Sequence, residues 1–212
     1  ALLGLGRIEG VSRPALAAFM PNSGQGTVVL DVGANAEVKP QYLVQFAHMG
    51  SCYARYLLGR ENPTGGLRSI GEEDAKGNQL VQDTLPLLRS AKHLNCVGNV
   101  EGRDLFKGTC DVIVTDGFTG NVLLKTAEGA ASFLASAMKG EMKRDPLATI
   151  GALFMMPALR RLSEPLKIMS CICRPRSDLA DCSPSTQRMA STTLLLPQPL
   201  GPTIPVTPPL KS

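Results

Sequence analysis

Residues 111–126 read DVIVTDGFTGNVLLKT, and this stretch decides the fold class. Val112, Ile113 and Val114 form a short β-branched run of the kind that lies buried in a parallel sheet. A polar turn with two glycines follows, and Asn121 opens an apolar segment that predicts a helix. In open α/β sheets, ligands bind outside the carboxyl ends of such strands. The free N–H groups of the first helical turn favour an anion there.

The same order of strand, polar loop and helix recurs along the chain. Strands are predicted at residues 14–19, 27–32, 66–70, 94–97 and 111–114. Helices are predicted at residues 40–57 and 80–88, and residues 98–103 are expected to form a loop. Pro40 suits the first turn of its helix, where proline is tolerated. Strands that alternate with helices indicate βαβ units, so we expect an α/β fold with a mostly parallel sheet.

The composition indicates a soluble globular protein and disfavours two classes of function. Of the 212 residues, 43% are hydrophobic and 19% are charged, which is enough apolar material for a core. A formal net charge of +4 and an aromatic content of 4% are too low for a nucleic-acid surface, so no nucleic-acid partner is expected. No stretch reaches the roughly 20 apolar residues that a membrane span needs.

The six cysteines do not follow a metal-binding pattern. Cys171 and Cys173 are too close together for a usual zinc site, and no histidine lies near them. We therefore expect no metal. Cys52, Cys96 and Cys110 lie in apolar sequence, and we expect them to be reduced and buried, as in a cytosolic protein.

The sequence changes character after residue 138. Residues 147–159 form an apolar run with basic residues on both sides, which is typical of a helix in a membrane interface. A dimer-contact or core helix is the alternative. Residues 169–212 hold eight of the 16 prolines, so we expect a disordered tail, a shifted reading frame or a natural linker. The chain thus divides into a domain at 1–168, with a helical tip at 139–168, and the tail.

Four segments stand out in order along the chain. They are residues 31–54 (DVGANAEVKPQYLVQFAHMGSCYA), 71–80 (GEEDAKGNQL), 97–106 (VGNVEGRDLF) and 111–129 (DVIVTDGFTGNVLLKTAEG). These segments resemble the bacterial phosphate acyltransferases of phospholipid synthesis. The resemblance implies a Rossmann-like αβα sandwich, similar to phosphotransacetylase and isopropylmalate dehydrogenase. The family's N-terminal Gly-Gly-Asp and Gly-Asn-Thr-Gly motifs are absent, as are its C-terminal Tyr-Gly-Gly and His-Gly-Ser motifs. We therefore expect a domain truncated at both ends.

The resemblance implies an enzyme that transfers a fatty acyl group from acyl carrier protein to inorganic phosphate. It implies a cytoplasmic homodimer that touches the membrane surface and supplies acyl phosphate to glycerol-3-phosphate acyltransferase. Phosphate is already an anion and a thiolate leaves readily, so the site must hold a dianion, stabilise an oxyanion and exclude water. No cofactor is expected for this chemistry.

The resemblance places a catalytic or phosphate-holding lysine at Lys76, in a glycine loop that also contains acidic residues. Asn121 matches the asparagine of the family's Gly-Asn pair, and its amide is expected to donate to the thioester oxygen. A solvated loop lysine and a helix N-cap are the respective alternatives. Further candidates for phosphate or substrate binding lie in the loops, where shaping a turn is the main alternative for the asparagines and the aspartate. They are Asn35, Asn78, Asn99, Asp116, Gly117 and Gly120.

Other charged residues are weaker candidates. Arg103 and Lys39 are expected to form surface ion pairs rather than anion contacts. His48 and His93 are expected to be structural or solvated, since a lone histidine carries no catalytic signature. An acidic carrier protein suits a basic entrance, for which the chain offers Lys139, Lys143, Arg144, Arg160 and Arg161.

Two further functions remain open. One is another enzyme on the same scaffold, either a coenzyme A-dependent phosphotransacetylase or a nicotinamide-dependent dehydrogenase. The dehydrogenase is disfavoured, because no strand–loop junction carries a G-x-G-x-x-G fingerprint with a downstream acidic residue. The other is an inactive truncated fragment that acts as a binding module or scaffold.

Overall fold

The computed structural model describes residues 11–144, together with Gly151 and Phe154. The strands in this part of the chain are β1 (Ala17–Met20), β2 (Thr27–Leu30), β3 (Thr64–Arg68), β4 (Asn95–Val100) and β5 (Val112–Val114). The helices there are α1 (Pro40–Leu58), α2 (Gln79–Ser90), α3 (Asp104–Lys107) and α4 (Gly117–Arg144). The strands form one sheet in the order β1-β2-β5-β3-β4.

The sheet is mostly parallel, as the alternation of strands and helices predicts. Strands β2, β5, β3 and β4 run parallel, and β1 pairs antiparallel with β2 at one edge. Strands β2 and β5 are buried along their whole length, and Val29 stands opposite Ile113. Such continuous apolar runs are expected where both faces of a sheet are covered.

Helices cover both faces of the sheet and create three layers. On one face, α1 and α2 contribute Leu43, Phe46 and Leu85 to a core shared with β2, β3 and β5. On the other face, Leu105 of α3 and Leu124 of α4 pack against side chains of the central strands. The described part of the chain is therefore the predicted αβα sandwich.

Helix α1 shows how closely one of these layers packs. It begins at Pro40, as predicted, and ends where Gly59 adopts a φ of 69°. A Cβ on Gly50 would lie 2.4 Å from Cγ1 of Val112, so this glycine lets the helix approach the sheet. The helix predicted at 40–57 and its start at Pro40 are therefore confirmed.

Several predicted strand boundaries are wrong by two or three residues. The strand predicted at 14–19 begins only at Ala17, and the strand predicted at 27–32 ends at Leu30. Strand β3 lies two residues earlier than the predicted strand at 66–70. Strand β4 continues to Val100, so the predicted loop at 98–103 begins too early and Asn99 lies inside a strand. The reason is tertiary, because β4 pairs with β3 as far as the Arg68–Val100 pair. The local glycine and asparagine residues gave a loop signal that this pairing overrides.

Helix α4 begins at Gly117, four residues before the predicted start at Asn121. Oδ1 of the preceding Asp116 accepts the backbone N–H of Thr119 at 2.8 Å. The cap is therefore an aspartate, and the N-cap alternative for Asn121 is wrong. The backbone N–H of Gly117 also donates to the carbonyl oxygen of Asn35 at 2.8 Å, a tertiary contact that no local pattern reveals.

The predicted helical tip and tail are described only in part. Helix α4 runs to Arg144, so residues 139–144 are helical. Beyond them only Gly151 and Phe154 are described, and the remainder of the tip at 139–168 and the tail at 169–212 lie outside the described residues. Within the described helices, none has the length and apolar character to cross a membrane.

The three described cysteines are free thiols, as predicted, but they differ in burial. Cys110 is buried, Cys96 is half-buried and Cys52 is exposed. The expectation of burial is therefore wrong for Cys52. In this turn of the helix, the buried residues are the neighbours Tyr53 and Ala54. Apolar residues on either side of a cysteine do not reveal which face of the helix the cysteine occupies.

Candidate functional site

The predicted site residues lie at the carboxyl edge of the parallel strands. The loops there follow β2, β5, β3 and β4, which is also the order of these strands in the sheet. Ligands of open α/β sheets bind at this edge. Six of the eight predicted residues lie in these loops or in the first turn of α4, while Asn99 is the penultimate residue of β4 and Asn121 is the fifth residue of α4.

The loop after β2 is folded around the carboxylate of Asp31, which the sequence analysis did not select. Oδ1 of Asp31 accepts the N–H groups of Leu16, Gly33 and Ala34 at 3.2, 3.1 and 2.7 Å. Oδ2 accepts the backbone N–H and the side-chain amide of Asn35 at 2.8 and 2.7 Å. Five donors thus surround a carboxylate that is 0% exposed. The N–H groups of this loop point inward to Asp31.

Asn35 shapes this loop and connects it to α4. Its side-chain amide donates to the carbonyl oxygen of Pro14 at 2.8 Å as well as to Asp31. Its own carbonyl oxygen accepts the N–H of Gly117 at 2.8 Å. These contacts agree with the turn-shaping alternative for Asn35, and its contact with phosphate stays a prediction.

Two glycines let the first turn of α4 lie directly on the β2 loop. A Cβ on Gly117 would lie 2.6 Å from the carbonyl oxygen of Asn35. A Cβ on Gly120 would lie 1.9 Å from the carbonyl oxygen of Asp31. Both approaches are too close for a side chain, so these positions require glycine for packing of backbone on backbone.

The first turn of α4 uses most of its N–H groups within the protein. Gly117 donates to Asn35, and Gly120 donates to the carbonyl oxygen of Asp116 at 2.9 Å. Thr119 donates to the side chain of Asp116. The expected row of free N–H groups is therefore largely occupied, and an anion at this edge must depend more on side chains.

Asn121 offers one such side chain. It lies one residue beyond the close contact at Gly120, and its side chain is exposed. Its Oδ1 lies 3.6 Å from the position that a Cβ on Gly33 would occupy, so the amide stands beside the β2 loop. This amide is accessible from the carboxyl edge.

The loop between β3 and α2 carries Lys76 and is fixed at its backbone. The carbonyl oxygen of Lys76 accepts Oγ of Ser69 at 3.2 Å and Nδ2 of Asn99 at 3.4 Å. Nδ2 of Asn99 also donates to the carbonyl oxygen of Glu73 at 2.9 Å. Ser69 and Asn99 are buried, whereas the side chain of Lys76 is exposed. This suits a substrate-binding lysine and a solvated lysine equally, so the role of Lys76 stays a prediction.

The end of the same loop is fixed by the start of α2. Oδ1 of Asn78 accepts the N–H of Val81 at 3.1 Å, which makes Asn78 the N-cap. Gly77 has a φ of 108°, a conformation that favours glycine. Nε2 of Gln82 donates to the carbonyl oxygens of Ala75 and Gly77 at 3.1 and 3.3 Å. Lys76 is thus held between two anchored backbone groups.

Ion pairs surround this loop. Arg89 donates to both carboxylate oxygens of Asp74, and these hydrogen bonds lower the pKa of Asp74 and raise the pKa of Arg89. Arg103 contacts Glu101 at 2.9 Å and Glu72 at 3.7 Å. The surface ion-pair alternative for Arg103 is therefore confirmed.

The structure brings the predicted residues together in two groups. One group surrounds the junction of the β2 loop with α4, and the other lies at the ends of β3 and β4. Because β5 and β3 are neighbours in the sheet, the two groups occupy adjacent loops of one edge. Convergence of Lys76 and Asn121 on one bound anion stays a prediction. The first group is Asn35, Asp116, Gly117, Gly120 and Asn121, and the second is Lys76, Asn78 and Asn99.

Two polar residues that support these loops, Asp31 and Arg68, are not among the predicted site residues. Asp31 is followed by Gly33 and Asn35, a turn signal in which an aspartate oxygen accepts N–H groups further along the chain. Arg68 ends β3 and donates from Nη1 to the carbonyl oxygen of Ser69, while its Nε is buried with no partner among the described residues. A charge within the strand predicted at 66–70 is the sequence signal for Arg68.

Neither histidine forms part of the site. Nδ1 of His48 lies 2.9 Å from the carbonyl oxygen of Val44 on α1, and His93 lies in the turn before β4 with a φ of 67°. Both placements agree with structural or solvated roles. Within residues 11–144, no three or more His, Cys, Asp or Glu side chains are grouped so that they could hold a metal ion.

Comparisons with known proteins identify the family. The profile of the fatty acid synthesis protein family matches residues 1–170. The phosphate acyltransferase of Heliobacterium modesticaldum is 53% identical over 165 residues, which cover 78% of this chain and 49% of that protein. The phosphate acyltransferase of Aquifex aeolicus is 51% identical over 160 residues, which cover 76% of this chain and 47% of that protein. The chain thus spans about half the length of the curated relatives it matches.

A solved structure of similar architecture is the EutD phosphotransacetylase from Staphylococcus aureus. The TM-score is 0.49 at 18% identity, over 62% of this chain and 46% of that chain. The family assignment depends on the profile match and on the identities near one half, which confirm the resemblance read from the sequence. The chain therefore belongs to the fatty acid synthesis protein family, together with the bacterial phosphate acyltransferases.

Proposed function

We propose that the protein transfers a fatty acyl group from acyl carrier protein to inorganic phosphate. The observation that carries the proposal is that Lys76, in the loop between β3 and α2, and Asn121, near the start of α4, both lie at the carboxyl edge, in a chain of this family. An exposed ammonium group and an exposed amide suit a phosphate dianion and a thioester carbonyl. The reaction changes no oxidation state, and the proposal includes no cofactor.

The chemistry needs one nucleophilic substitution at the thioester. A phosphate oxygen attacks the carbonyl carbon, and a tetrahedral intermediate with one oxyanion forms. Collapse of the intermediate breaks the C–S bond, so the carrier protein leaves as a thiolate and acyl phosphate remains. Lys76 neutralises the phosphate and the developing charge, and Nδ2 of Asn121 donates to the oxyanion. The other predicted residues support the loop between β3 and α2, which carries Lys76, and the start of α4, which carries Asn121.

The first experiment identifies the acyl donor. Either acyl-acyl carrier protein or acyl-coenzyme A is mixed with the chain, with and without phosphate, and acyl phosphate formation is counted as the thiol release that requires phosphate. We expect product from the carrier-protein thioester. Product from coenzyme A alone would favour the phosphotransacetylase-like alternative, and no product from either donor would favour the inactive binding fragment.

Docking of an acidic carrier protein is proposed for the basic end of α4. Lys139 and Arg144 are exposed there, and Arg144 also pairs with Glu141 at 2.6 Å. The remaining basic candidates, Lys143, Arg160 and Arg161, have side chains outside the described residues. Charge complementarity of this kind raises association rates and makes them sensitive to salt.

We further propose that the outer part of α4, together with the segment around Phe154 beyond its end, serves a homodimer and a membrane contact. Phe133 and Leu134 are 74% and 60% exposed, and Phe154 is 82% exposed. Exposed aromatic and aliphatic side chains beside basic residues suit a lipid surface. In this proposal the cytoplasmic protein binds the membrane peripherally and supplies acyl phosphate to glycerol-3-phosphate acyltransferase.

Vesicle binding tests the membrane contact. Replacing Leu153 and Phe154 with Asp should release the protein from anionic vesicles in co-sedimentation. Tyr56→Asp on α1, where the tyrosine is 64% exposed, is the matched control and should bind as before. Equal binding of all three proteins would contradict the proposal.

A further inference from the structure

We propose that Asp31 is a positioning residue for the candidate site. Its carboxylate fixes the β2 loop, and the loop in turn fixes the first turn of α4 beside Asn121. The kinetic part of this inference rests on the proposed function, whereas the structural part does not. Asp31 itself is 0% exposed, so it acts through its neighbours and does not touch a substrate.

The carboxylate determines the path of the loop. Its two oxygens accept five N–H groups, four of them from Gly33, Ala34 and Asn35 within the loop. The fifth comes from Leu16, just before β1, and holds the carboxylate against the edge strand. Hydrogen bonds to an ionised acceptor are shorter and stronger than neutral ones, so a buried anion with five donors is a strong local constraint.

The loop passes this constraint to α4 at two points. At the first, the carbonyl oxygen of Asn35 accepts the N–H of Gly117 at 2.8 Å. At the second, the carbonyl oxygen of Asp31 lies beneath Gly120 with no room for a side chain. Both ends of the first helical turn are therefore set by the Asp31 loop. Asn121 follows directly on this turn, and its Oδ1 stands beside Gly33.

Asp31→Asn changes this arrangement with little change in size. It replaces an acceptor oxygen by an NH₂ group that faces N–H donors, so the loop must move. A shift of about 1 Å in a catalytic group can cost about 10²-fold in rate. We therefore expect kcat to fall by about 10- to 100-fold when the loop no longer holds the α4 turn.

A double-mutant cycle distinguishes positioning from general damage. If Asp31 acts through Asn121, the Asp31→Asn/Asn121→Ala variant should be no slower than Asn121→Ala alone. The matched control is Asp104→Asn, because Asp104 is also buried but caps the β4 loop through the N–H of Glu101 at 2.8 Å. Any fold-loss in kcat caused by Asp104→Asn should multiply with the fold-loss caused by Asn121→Ala. If the fold-losses in kcat of Asp31→Asn and Asn121→Ala also multiply, the proposal is overturned.

Amide hydrogen exchange tests the structural link without any assay of activity. In the unmodified chain, the N–H groups of Asn35 and Gly117 should exchange with similar protection, because they open together. In Asp31→Asn, exchange at Gly117 should be about tenfold faster or more, and Asp104→Asn should leave it unchanged.

The outcomes separate the two proposals. In the unmodified chain, fast exchange of the Gly117 N–H together with slow exchange of the Asn35 N–H would overturn the role of Asp31. This measurement applies even if the Asp31→Asn variant does not fold. Absence of acyl phosphate from the unmodified chain would instead contradict the proposed function. In that case the exchange at Gly117 still decides whether Asp31 positions α4.

Discussion

Gly120 of α4 lies so close to Asp31 at the end of β2 that a Cβ on the glycine would be 1.9 Å from the aspartate carbonyl oxygen. At this point the backbone of the helix lies directly on the backbone of the residue that follows β2. Gly129, about two and a half turns further along α4, has no atom within 4 Å of the corresponding Cβ position. Packing thus requires glycine at position 120 of α4 but not at position 129.

We expect Gly120→Ala and Gly129→Ala to change stability in opposite directions. A methyl group at Gly120 forces backbone apart and should cost about 1–3 kcal/mol of unfolding free energy. A methyl group at Gly129 meets nothing and should add about 0.5–1 kcal/mol, because alanine favours a helix more than glycine does. Urea unfolding measures both changes. Equal effects of the two substitutions would contradict the close approach at Gly120.

A second prediction concerns acid stability and Asp104. The hydrogen bond from Nζ of Lys107, at 2.9 Å, is the main cause that lowers the pKa of the Asp104 carboxyl. A carboxyl whose folded pKa lies below its unfolded value stabilises the fold above the unfolded value, and this is lost as the pH falls through the folded pKa. Asp104→Asn should therefore be less stable than the unmodified chain at pH 6.

This stability difference should shrink as the pH falls below about 4, where an unfolded aspartate begins to bind its proton. Urea unfolding of both proteins over a series of pH values measures it. A difference that stays constant from neutral to acid pH would show that the substitution acts through packing rather than through charge.

A third prediction concerns the thiols. Burial raises the pKa of Cys110 to about 12, so almost none of this thiol is ionised at pH 8. Cys52 is exposed on α1 and Cys96 is half-buried in β4. Of the three described cysteines, we expect iodoacetamide to modify Cys52 first and Cys110 only after unfolding, as resolved by peptide mass spectrometry. Equal rates for Cys52 and Cys110 in the native protein would contradict the described burial.

The sequence predicts the layers of this fold well, because its main signals are local. The β-branched run at residues 112–114 is a buried central strand, and Pro40 marks the start of α1. Gly50 allows the close packing of α1 on the sheet. Alternation of strands with helices was sufficient to predict a mostly parallel sheet, whereas the helical layers on its two faces were implied by the family resemblance.

The candidate site is less predictable, because its geometry depends on contacts between distant segments. Asp31 accepts an N–H from Leu16, and Asn35 accepts one from Gly117. The start of α4 was misplaced for the same reason, since the contact at Gly117 fixes it. The local sequence around Asn99 predicts a loop. Asn99 lies in β4 because it pairs with Leu67 of β3, and this pairing is between segments far apart in the sequence. Local composition indicates which loops matter, but not which N–H groups remain free.

The central claim is that Lys76 and Asn121 act at one site, Lys76 on the bound phosphate and Asn121 on the thioester oxygen, and the initial rate of acyl phosphate formation tests it most directly. Lys76→Ala should lower kcat by about 10²-fold or more, the scale of losing one oxyanion donor. Lys92→Ala removes another exposed lysine, beyond the end of α2, and should leave the rate unchanged. If Lys76→Ala and Lys92→Ala turn over at the same rate, the carboxyl-edge site proposed for this protein is contradicted.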